Sequence, residues 1–99
     1  MALVRISLFR PKKGSEERVQ QLLFDLDRFH RTLPGYQGGY TLRNRDGAGE
    51  LGRVSIWADE TSDDHAAIAD RDLALRAELT RLVERESHRE SQYDSLAAP

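Results

Sequence analysis

Two hydrophobic periods alternate along the chain, and their order lays out a fold. Residues 2–10, ALVRISLFR, follow a period of two, with Leu3, Arg5, Ser7 and Phe9 on one face and Val4, Ile6 and Leu8 on the other. Large apolar groups on both faces predict a strand covered on both sides, ended by Pro11–Gly14. Ser15 followed by Glu16 and Glu17 predicts a helix start, with a hydroxyl cap and acids at the positive end of the dipole. Val19, Leu22, Leu23, Leu26 and Leu33 keep one helical stripe as far as Pro34-Gly35, and His30 falls on that stripe, as a packing residue or a functional one.

The period of two returns at Tyr36–Arg45, and Asp46-Gly47-Ala48-Gly49 has the composition of a hairpin loop. In the return strand, Leu51–Ala58, Val54 and Ile56 share one face and Arg53, Ser55 and Trp57 the other. Thr61-Ser62-Asp63-Asp64 then predicts a capped start for a second helix running to about Val83, with His65, Ile68, Asp72, Leu75, Leu79 and Leu82 on one stripe. Ser87–Asp94 predicts a weak last strand. The chain thus divides into one domain over residues 1–95 and a loose tail over 96–99.

The order β-α-β-β-α-β predicts an α+β, ferredoxin-like arrangement, an antiparallel four-stranded sheet with both helices on one face. The other sheet face would carry Val4, Ile6, Leu8, Val54 and Ile56, too much apolar surface to leave wet, and a second copy packed sheet to sheet would cover it as a homodimer. Length agrees: 99 residues make one domain, and 38% hydrophobic against 32% charged leaves a thin core that gains from further burial.

Composition narrows the chemistry. The absence of cysteine removes disulfides, thiolate metal sites and cysteine nucleophiles. A formal charge of −2, with mixed signs, provides no footprint for nucleic acid or anionic lipid, and no stretch approaches a membrane span or signal peptide, so a cytoplasmic protein is expected. His30, His65 and His88 stand on different elements without metal-ligand spacing.

The strand VSIWADETSDDH, following PGYQGGY and preceding HAAIADRDLALRAEL, resembles the antibiotic biosynthesis monooxygenase family of dimeric α/β barrel proteins. That resemblance implies two subunits joining their sheets into one barrel, each with a pocket between its own sheet and helices. It implies oxygenation of anthrones or quinols without metal or flavin, or, in another branch, haem cleavage. Trp57 matches the family's strand-end tryptophan. Arg53 stands where the anthrone oxygenases have asparagine, and Asp63 where they have tyrosine; Ser7, Ala66 and Arg76 stand at the haem branch's positions, which makes haem the less expected ligand.

The function expected is therefore cofactor-independent oxygenation of a small aromatic, quinol or polyketide-like compound, or alternatively non-catalytic binding of a small ligand by a stress-associated barrel. Trp57 would stack on the ring, His65 accept the proton, and Asp72 or a water orient it. Arg53, with Arg5 as a second donor, would hold the anionic oxygen, with Ser7 and Ser55 on the same face. Each residue also has a plain structural reading: Trp57 as core, His65 as a surface residue, Asp72 paired with Arg76 at i+4, and Arg5 in a salt bridge at the dimer seam.

Overall fold

A computed structural model describes residues 2–96. The elements run β1 (Leu3–Phe9), α1 (Glu16–His30), β2 (Tyr36–Arg43), β3 (Leu51–Trp57), α2 (Glu60–Ala67), α3 (Asp70–Leu82) and β4 (Arg89–Asp94). The strands form one antiparallel sheet in the order β2-β3-β1-β4, and the fold is the ferredoxin-like α+β arrangement. Of the tail expected over 96–99, all but Leu96 lies outside the described residues. Among the described residues no helix is long and apolar enough to cross a membrane.

β1 and β3 are central, and their alternation decides what each face of the sheet carries. Arg5, Ser7, Phe9, Leu51, Arg53, Ser55 and Trp57 are buried under the helices, while Val4, Ile6, Leu8, Val54 and Ile56 on the opposite face are only half-buried. Tyr40, opposite Val54, and Tyr93, opposite Val4, join that face, 68% and 55% exposed. On the helix side, Val19, Leu22, Leu23 and Leu26 of α1 meet Leu75 and Leu79 of α3 over Phe9 and Leu51, with Val83 closing one end. Each fully buried leucine contributes roughly 1.5–3 kcal/mol.

Three expectations are corrected. Ser15 stands at the N-cap of α1, but its hydroxyl makes no capping hydrogen bond. The second helix starts earlier, on Asp59, whose carboxylate accepts from the Ser62 N–H at 2.8 Å. That helix is also two: Ile68 leaves α2 and Ala69 is extended (φ −66°, ψ 139°), so α3 begins afresh at Asp70. The break turns the two halves relative to one another, leaving His65 exposed and Asp72 buried.

Gly35 positions the start of β2. Its φ is +85°, a conformation side chains disfavour, and a Cβ there would overlap the Ser62 hydroxyl. Only glycine lets β2 begin this close beneath α2, where the Gly35 carbonyl accepts from Ala58 N–H at 2.7 Å.

Candidate functional site

Pairing of β1 with β3 sets Arg5 opposite Ser55 and Ser7 opposite Arg53, which concentrates polar groups under the helices. Above them, α1 supplies Leu26 and His30 one turn apart, and α3 supplies Asp72, Arg76 and Leu79 at the same helical spacing.

Arg53 is 7% exposed. Its Nη1 lies 3.3 Å from His30 Nδ1, and His30 Nε2 lies 3.6 Å from Asp72 Oδ1. A guanidinium can only donate, so Nδ1 accepts, and the neutral imidazole carries its proton on Nε2, directed at Asp72. The line Arg53–His30–Asp72 therefore joins a buried cation to a buried carboxylate through a neutral ring. Burial lowers the Arg53 pKa; Asp72 opposes that, and the neighbouring cations Arg5 and Arg76 add to it. The His30–Asp72 separation exceeds a hydrogen bond, so His30 Nε2 and Asp72 Oδ1 are buried without a protein partner among the described residues, as are Ser55 Oγ and Trp57 Nε1.

Trp57 is wholly buried. His30 and Tyr36 meet it edge-on, with ring centroids 5.1 Å and 4.9 Å away. Tyr36 Oη donates to Asp27 Oδ1 at 2.5 Å. Burial and that hydrogen bond push the Tyr36 phenol well above its ordinary range.

A second buried cation ties the sheet to α2 and β4. Arg5 Nη1 lies 3.2 Å from Asp63 Oδ1, and the Arg5 guanidinium also holds Glu90, which accepts from Ser7 Oγ at 3.3 Å. Burial opposes the Glu90 charge, but Arg5 outweighs it and holds the carboxyl below its ordinary range.

Between these groups and α3 lies a cavity of about 130 Å³, with Ser7, Leu26 and Arg53 among its deeper lining and Thr80, His88 and Glu90 nearer solvent. Phe9 also lines it and stacks on His88 with centroids 4.5 Å apart. Arg76 projects from α3 and forms no ion pair among the described residues. The arrangement offers N–H donors to an anion at the inner end and an imidazole near the mouth.

Of the residues expected at the site, Ser7 and Arg53 line this cavity, and Arg5 and Asp72 stand behind it. Ser55 and Trp57 are buried on the same sheet face but are not among its lining residues. His65 is exposed on α2 and is not a lining residue either. Asp72 faces His30 rather than pairing with Arg76. Sequence reasoning missed Glu90 and gave His88 no role, although alternation in the last strand puts both on one face, and pairing with β1 sets Glu90 opposite Ser7. His30 was visible on the α1 stripe, but its partners come from β3 and α3.

No protein-family model and no curated protein matches the sequence. Solved structures do match in fold. SnoaB, a cofactor-independent oxygenase from Streptomyces nogalater, superposes with a TM-score of 0.84 at 15% identity, over 98% of this chain and 95% of that one. Rv0793 from Mycobacterium tuberculosis gives 0.88 at 19%, over 99% and 98%. An antibiotic biosynthesis monooxygenase gives 0.83 at 16%, over 96% and 99%. The family resemblance read from the sequence is thus matched in fold across nearly the whole chain.

Proposed function

We propose that the chain is a monooxygenase of the antibiotic biosynthesis type, working without cofactor on a small phenol, quinol or enol bound in the cavity between α3 and β4. The observation that carries this reading is Arg53, a buried cation with no carboxylate in ion-pair range among the described residues, lining a small cavity. Fold likeness to a cofactor-independent oxygenase supports it.

Such chemistry starts with loss of a proton, because the anion, not the neutral ring, reduces oxygen. His88, near the cavity mouth, takes the proton; Arg53 donates to the developing oxyanion. Where the reacting carbon is a methylene, dioxygen adds to the carbanion and the resulting hydroperoxide loses water. One methylene and one dioxygen thus become one ketone carbonyl and one water, with no outside reductant. A cavity of about 130 Å³ lies below the roughly 300–1,000 Å³ of pockets for drug-sized ligands, which favours one ring over a fused polyketide and disfavours haem.

In this reading the protein is a cytoplasmic homodimer joined through the half-buried apolar sheet face. The test is oxygen uptake by chelator-treated protein with hydroquinones, naphthols and anthrones. Uptake with a single-ring compound is expected, and Arg53→Lys should lower kcat/KM on the order of 10²-fold. No uptake with any compound would contradict it. The other reading, a non-catalytic ligand-binding or stress-associated barrel, is favoured by two facts: Trp57 is sealed in the core, and His65 is outside the cavity.

A further inference from the structure

We infer that the ligand carries a carboxylate, held by Arg53 and Arg76 together, and that Arg76 is the residue that selects for it. The inference rests on the oxygenase reading only for the hydroxylated ring of the ligand, not for the site. It is carried by the way charges pair around the cavity. Arg53, Arg76 and Glu90 line it, with Arg5, Asp63 and Asp72 set behind, and the acids are already engaged or set back. Asp63 and Glu90 both hold Arg5, and Asp72 reaches Arg53 only through His30. Among the lining residues, Glu90 is therefore neutralised while two guanidinium groups are left without a direct counter-ion. Burying a cation without a partner is costly, and a ligand anion is the partner the geometry admits.

The planar fork of each arginine suits a carboxylate, which can accept from both at once. The two cations also oppose each other, and Arg76 contributes to the lowering of the Arg53 pKa. A bound anion between them removes that repulsion. With room for one ring, the chemical class is a hydroxylated aromatic acid of benzoate size rather than a neutral hydroquinone.

The test compares 2,5-dihydroxybenzoate with hydroquinone, the same ring with and without the acid, by titration calorimetry under nitrogen. The acid should bind at least about tenfold tighter, since its hydrogen bonds to the two arginines are charge-assisted. In Arg76→Gln the preference should fall to within about threefold, and in Arg81→Gln, on an exposed part of the same helix, it should persist. Equal affinities in the unaltered protein, binding of neither compound, or a preference that survives Arg76→Gln would overturn the inference. Selective binding without oxygen uptake would instead remove the oxygenase reading and leave the carboxylate site standing.

Discussion

At the scale of single residues, the decisive group is Asp72. As a surface partner of Arg76 at i+4 it would contribute only about 0.3–0.5 kcal/mol, and its loss would pass almost unnoticed. Buried at the end of the Arg53–His30 line it is the carboxylate that offsets a buried guanidinium. Asp72→Ala should therefore cost on the order of 3 kcal/mol in urea unfolding; a loss under about 0.5 kcal/mol would place Asp72 on a solvated edge. Glu90 provides a pH test. Arg5 holds its carboxyl below the ordinary range, so its contribution is fully present above a pH of about 4.3 and disappears as pH falls through the depressed folded value. Glu90→Gln should lower Tm near pH 7, by an amount that shrinks as pH is taken below about 4.3. A deficit that does not change with pH would mean the charge on Glu90 contributes nothing.

At the scale of elements, what was legible in the sequence was what a period of two or of 3.6 reports. The inward set on β1 and β3, the α1 stripe and the strand order all follow from alternation and burial. The break at Ile68-Ala69 was not legible, because neither glycine nor proline marks it and the acids at Asp70 and Asp72 read as well inside a helix as at its start. That one unmarked break put His65 on an exposed face and Asp72 on a buried one. Partners of His30 were hidden for a different reason: they are 23 and 42 positions away in sequence and meet it only in the fold. Gly35 is a signal that could be read locally, and it has a measurable consequence. Gly35→Ala should lose about 1–3 kcal/mol from strain alone, more with the Ser62 contact, and adding Ser62→Gly should recover only the contact part. Full recovery in the double variant would show that φ at this position carries no strain.

At the scale of the whole molecule, the sheet has one finished face and one unfinished. Tyr40 and Tyr93 stand exposed beside Val4, Ile6, Val54 and Ile56, and a second copy is the partner proposed for them. Light scattering after size exclusion should give about twice the 11.3 kDa of one chain, and Ile6→Asp should return it to one chain or to insoluble protein; an unaffected dimer would place the interface elsewhere. The proposed ligand site lies on the opposite, helix-covered face. Its location is tested most directly by amide NMR of the unaltered protein titrated with 2,5-dihydroxybenzoate under nitrogen. Shifts concentrated at Ser7, Arg53, Arg76, Thr80, His88 and Glu90 are expected, while shifts concentrated at Ala58–His65, or none at all, would contradict a site centred on Arg53.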